Sequence, residues 1–154
     1  MRGVLIFAFL FFSPVFSFAT PPLVEKIEQE TGLDMTINQK EELSSFSQKK
    51  HEDLKDAGEI LVKQLSQILS IPEKSLRLEL FPDIGIPHAE LNPATGAKLE
   101  KLLGREMTKT EYELVDMAFK AFKEKERAIT GEYAAQIANL VDLPQDTVQE
   151  LISR

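Results

Sequence analysis

The stretch MTKTEYELVDMAFKAFKEKERAITGEYAAQIANLV, Met107–Val141, decides the fold. Thr108-x-x-Glu111 at its start is a capping box: the threonine oxygen accepts from an orphan first-turn N–H, and the glutamate reaches back to the cap. Behind it, Tyr112, Val115, Phe119, Phe122, Ile129, Tyr133, Ile137 and Leu140 recur at three- and four-residue steps, interrupted by the charge of Glu126. That is the period of a helix buried along one face. It predicts a long helix over Lys109–Val141, bent or broken at Gly131, since a helical glycine costs roughly 1 kcal/mol against alanine.

The same pattern stands 72 positions earlier, Thr108 falling on Thr36. Pro93 falls on Pro21, Lys98 on Lys26, Glu100 on Glu28, Gly104 on Gly32, Met107 on Met35, Gln136 on Gln64 and Pro144 on Pro72, without a gap. Such spacing marks an internal repeat. Thr36-x-x-Gln39 caps a second long helix, Ile37–Leu69, whose stripe is Leu43, Phe46, Leu54, Leu61, Leu65 and Ile68. Its middle is polar around Lys49, Lys50 and His51, and Gly58 is a second expected bend. Gly32 and Gly104 read as left-handed ends of preceding short helices, Leu23–Thr31 and Ala97–Leu103. Ser70-x-x-Glu73 and Asp142-x-x-Gln145 read as further capping boxes, with Pro72 and Pro144 in the first turns of short helices Ile71–Leu80 and Leu143–Ile152. The expected fold is all-α: two tandem three-helix units, short-long-short, from an internal duplication, packed as one helical domain. The units cover 20–82 and 93–154. A Pro-rich linker, 83–92, joins them, its Ile84, Ile86 and Leu91 packing on the domain.

The N-terminus reads as a cleaved signal peptide, 1–19. Arg2 supplies positive charge, Val4–Phe18 is almost wholly apolar, and Ser17-Phe18-Ala19 places small residues at a cleavage site. A membrane span needs about 20 apolar residues, and this run is shorter and carries Pro14. No cysteine follows for lipid attachment. The expected location is periplasmic or secreted, with no membrane insertion after cleavage. Removing Arg2 leaves 17 basic against 25 acidic residues, a net charge of −8. An acidic surface argues against nucleic acid, which wants a basic face. With no cysteine in the chain, stability rests on helix packing or oligomerisation rather than disulfides.

Catalytic chemistry is thin. His51 and His88 are the only histidines, no Gly-x-Ser-x-Gly elbow frames a serine, and no glycine-rich loop cradles phosphate. Asp34, Thr36 and Asn38 mimic a calcium loop, but Gln39 stands where its glycine belongs and Ser45 where its glutamate belongs. The reading is not an enzyme, with no cofactor. His51-Glu52-Asp53 and His88-x-Glu90 place imidazoles near carboxylates, yet two histidines are few ligands for zinc or copper. They read as surface residues, with a metal sensor as an alternative.

Phe46, Met117, Phe119 and Phe122 form the candidate protein-binding surface, because soft, adaptable side chains suit broad recognition. More often such a stripe is simply core. A thin helical layer has two faces and little to bury them against, so dimerisation along the long helices is a natural remedy.

Met35-Thr36-Ile37-Asn38-Gln39 and Met107-Thr108-Lys109-Thr110-Glu111 resemble the paired Leu-Thr-x-x-Gln motifs of the Spy/CpxP family of periplasmic helical proteins. Both copies begin with Met where the family prefers Leu, and the second ends in Glu where it prefers Gln. The resemblance implies a thin antiparallel helical cradle, dimeric, holding unfolded or stress-exposed envelope proteins without ATP, or sensing envelope stress or metal. The expected function is an exported helical binding protein of this kind. The alternative is a pseudo-symmetric scaffold for one specific protein partner.

Overall fold

A computed structural model describes residues 22–80 and 90–153. The expected signal peptide and residues 83–89 of the linker lie outside the described residues. The chain is all-helical: α1 Pro22–Thr31, α2 Ile37–Leu69, α3 Glu73–Leu80, α4 Pro93–Leu103, α5 Lys109–Val141 and α6 Gln145–Ser153. Among the described residues there is no strand.

Local chemistry sets the starts of the long helices. Thr36 Oγ1 accepts from Gln39 N at 3.3 Å, and Thr36 N donates to Gln39 Oε1 at 2.9 Å. Thr108 and Glu111 repeat both bonds at 3.2 and 2.8 Å. The preceding turns also match: Met35 N donates to Glu28 Oε1 at 3.1 Å, and Met107 N to Glu100 Oε1 at 3.2 Å. The Arg105 guanidinium, with the Thr108 N–H and hydroxyl, holds the Glu111 carboxyl down at about 2. Lys40, with the Met35 N–H, lowers Glu28. Gly32 and Gly104 are left-handed, φ 70° and 69°, the conformation a glycine tolerates best.

The ends of these helices differ from expectation. α2 and α5 run unbroken through Gly58 and Gly131. One glycine's cost is small against a 33-residue helix buried along its length. Ser70 and Asp142 do not cap the following helices. They are left-handed C-caps of α2 and α5, φ 55° and 54°. The Pro72 and Pro144 carbonyls accept the first bonds of α3 and α6, from Leu76 N and Val148 N, so the prolines precede those helices rather than occupy their first turns. α4 begins at Pro93, four residues before the expected start. Asn92 Oδ1 caps it by accepting from Thr95 N at 2.9 Å, with proline at its first positions.

α2 and α5 pack antiparallel. Gln39 Nε2 donates to the Leu140 carbonyl at 3.0 Å, Ser47 Oγ and Tyr133 Oη share a bond of 2.7 Å, and Lys49 pairs with Glu132 at 3.6 Å. Positions rising along α2 meet positions falling along α5. Two cores result, and each draws on both halves of the chain. One joins Leu54, Leu61, Leu65 and Leu69 of α2 and Leu76 of α3 to Leu99 of α4 and Val115, Phe119 and Phe122 of α5. The other joins Val24 and Ile27 of α1 and Leu43 of α2 to Tyr133, Ile137 and Val141 of α5 and Val148 and Leu151 of α6. Burying one such leucine or isoleucine contributes about 1.5–3 kcal/mol. The long helices thus bury their inward faces on each other within one chain.

α3 and α6 lie over one face of the α2/α5 pair, with α4 against α3 and α1 against α6. Ser66 Oγ donates to the Ile71 carbonyl leading into α3, and Gln145 Nε2 of α6 donates to the Gly131 carbonyl of α5. With about 100° of turn per residue, Val62, Ser66 and Leu69 share one flank of α2. Ala134, Ala138 and Val141, each 72 positions later, share the same flank of α5. Antiparallel helices matched in this way are related by a two-fold axis normal to their layer, so both flanks face the same side. The opposite side of the layer is left uncovered by the described residues.

Candidate protein-binding face

The uncovered side is built from positions at about −60° to −180° around each long helix, measured from Leu54 and Glu126 at the crossing centre. On α2 it presents Phe46, Lys49, Asp53 and Ile60; on α5 it presents Leu114, Met117, Ala121, Lys125 and Glu132. Ile60, Leu114 and Met117 are 57 %, 44 % and 65 % exposed, large apolar groups that the fold leaves in water.

Of the four residues expected to form a binding surface, the structure keeps Met117 exposed and Phe46 half-buried. Phe119 and Phe122 are a correction. Each is 4 % exposed and belongs to the core between α2 and α5. They point at the facing helix because their angular positions lie within about 40° of Val115, whereas Met117 stands at the outer edge of the uncovered face, turned away from α2. Ile60, Leu114 and Ala121 escaped the sequence reading. They fall outside the inward stripe, and only the burial pattern separates an outward apolar residue from a core one.

Toward the α1/α6 end the uncovered face carries a shallow dimple, lined by Phe46, Lys49, Lys50, Ile129, Glu132 and Tyr133 among others. Lys50 Nζ sits 4.7 Å from the centre of the Tyr133 ring, a cation–π contact. Burial lowers the Lys50 ammonium, and the Glu126 carboxylate opposes that shift. Burial raises the Tyr133 hydroxyl, and its bond to Ser47 pulls the other way. The polar gap of α2 and the charged interruption of α5 therefore meet: Lys50 answers Glu126, and Ser47 answers Tyr133. This arrangement satisfies polar groups at a helix interface.

His51 is exposed on α2, and His88 lies outside the described residues. Among the described residues, no three His, Asp or Glu side chains gather closely enough to hold an ion. Among them, too, no helix is long and apolar enough to cross a membrane.

The chain matches no family model, no curated protein and no solved structure.

Proposed function

We propose that the chain is an exported helical protein-binding module that holds non-native envelope proteins without ATP, using the uncovered face of the α2/α5 layer. The observation that carries this reading is the exposed apolar set of Ile60 and Leu114 on that face, with Met117 at its outer edge. Soluble chains keep large contiguous apolar surface for recognition, and a flexible thioether adapts to varied clients. The N-terminal export pattern and the paired threonine caps, which resemble those of the Spy/CpxP family, support the same reading. We also read the two units as an internal duplication, supported by helices whose bounds recur at 37 and 109 and at 69 and 141. Export would place the protein in the periplasm or outside the cell, free of the membrane once the leader is removed.

The test is light scattering of a chemically unfolded model client, with and without the mature Thr20–Arg154 protein. Suppressed aggregation at near-stoichiometric amounts is expected. If scattering is unchanged while one protein is captured at fixed stoichiometry, the chain is instead a scaffold for a single partner.

A further inference from the structure

α5 stands at the edge of the two-helix layer. Positions near 180° around it, measured from Glu126, point directly away from α2. Between Thr110 and Ala128 this outer back is exposed, and along it stand Leu114, Met117, Ala121 and Ala128. Met117 is 65 % exposed and Leu114 44 %. The back of α2 is an internal control. The same helical places, 72 positions earlier, hold Glu42, Ser45, Lys49 and Asp56, all exposed. Folding therefore makes no demand for apolar side chains there, and α5 alone carries them.

The charges beside this strip have an order of their own. On the flank toward the short helices, at about 80° to 160°, they run Glu113, Asp116, Lys120, Glu124 and Arg127. Turned end for end about position 122, the order meets itself with opposite sign. Lys120 falls on Glu124, Asp116 falls beside Arg127, and Glu113 lies one turn from Arg127. Like charges on this flank come no closer than three positions. On the other flank, between Glu113 and Arg127, only Lys125 is charged, and two copies of it stand about 9 Å apart along the seam. The apolar groups match as well. Met117 falls beside Ala128, whose small side chain leaves room for the thioether, and Ala121 near the centre lets two backbones approach. Within one chain Lys120 already pairs with Asp116 at 2.6 Å and Glu113 with Lys109 at 3.9 Å, partnerships at exposed groups that a second partner can share.

We propose that the outer back of α5 binds a second copy of this chain, the two α5 helices running antiparallel and crossing near position 122. The sequence of charges chooses the partner: a foreign helix would need the reverse order, and α5 supplies it to itself, each match occurring twice about the two-fold axis. Each protomer keeps both of its cores, so folded chains associate reversibly. The axis stands normal to the layer, so the bare faces of both copies look to the same side and join into one wider surface. The inference goes beyond the holding function above and does not depend on it.

Sedimentation of the mature Thr20–Arg154 chain tests it. A reversible monomer–dimer equilibrium is expected at concentrations below about 1 mM, as suits an interface of one helix pair. Met117→Asp should weaken association by about tenfold or more, and Ser45→Asp, at the equivalent place on α2, should leave it unchanged. Lys120→Glu and Glu124→Lys should each weaken it by about threefold or more, and the two together should restore it. The chain has no cysteine of its own, so Ala121→Cys near the axis should join two copies through a disulfide under mild oxidation, whereas Lys49→Cys should not. Circular dichroism confirms that each variant folds. A chain that stays monomeric, a dimer indifferent to Met117→Asp, a double charge exchange as weak as the single ones, or equal cross-linking at Lys49→Cys would each overturn the proposal. Client holding by a chain that stays monomeric would keep the wider function and remove this inference alone; a dimer that holds no client would do the reverse.

Discussion

Replacing Phe119 by alanine separates core from surface at the residue where the two readings diverge most. Phe119 is 4 % exposed and packs in the cluster that includes Leu61, Val115 and Phe122. Removing a buried aromatic ring loses its transfer free energy and leaves a cavity that long, capped helices cannot easily collapse around. The usual cost is about 3–5 kcal/mol, a large part of the roughly 5–15 kcal/mol that holds a small domain folded. At about 4 °C per kcal/mol, where the ranges for smaller and larger domains meet, the midpoint of thermal unfolding should fall by about 12–20 °C. Helical circular dichroism of the mature chain, followed against temperature and urea, measures it. Met117→Ala is the matched control, and an exposed site of this kind should move stability by no more than about 0.5 kcal/mol. If Phe119→Ala kept its stability within about 1 kcal/mol and instead lost client binding, the assignment of Phe119 to the core would be refuted.

Other outcomes follow from the same geometry. Gly131→Ala should stabilise the chain by up to about 1 kcal/mol, because an added Cβ there meets nothing within 4 Å; an unchanged or lower urea midpoint would contradict that. Glu111 sits at about 2 against an ordinary 4.5, so its contribution is complete above about 4.5 and is lost as pH falls toward 2. Glu111→Gln should flatten the acid limb of stability in that window, read from urea midpoints between pH 5 and 2, and an unaltered slope would remove Arg105 and the Thr108 cap as its cause. A protease site inserted between Asp83 and Ile84 should leave two fragments that co-elute and stay helical, with stability now dependent on concentration. Separation into two unfolded pieces would show that the cores are not shared between the halves.

Legibility divided along physical lines. The caps at Thr36 and Thr108 and the left-handed glycines were readable because each involves atoms within a few residues. The long helices were readable to the residue, because a cap and a repeating stripe both bound them. The cap at Asn92 was missed: its signal, Asn-Pro before an alanine-rich run, sat inside a stretch that the prolines marked as linker. The left-handed Ser70 and Asp142 were misread as starts, since the same residue types serve at both ends of helices. Of the candidate surface, Met117 is readable as apolar but not as outward, and Phe119 and Phe122, readable both as core stripe and as candidate surface, are core. Ile60 and Leu114 carried no signal until the direction of the inward face was known.

By itself, the sequence determined the class, the number of helices and the bounds of α2 and α5, because backbone hydrogen bonds, caps and periodicity are local quantities. The tertiary structure alone decided that α2 runs antiparallel to α5, that each core borrows from both units, and that Ser47 meets Tyr133 across the interface. It also decided which side of the layer the described short helices leave bare. Those outcomes depend on which apolar faces meet across more than eighty residues of chain, as between Ser47 and Tyr133. A helical stripe specifies that a face must be buried, not what buries it.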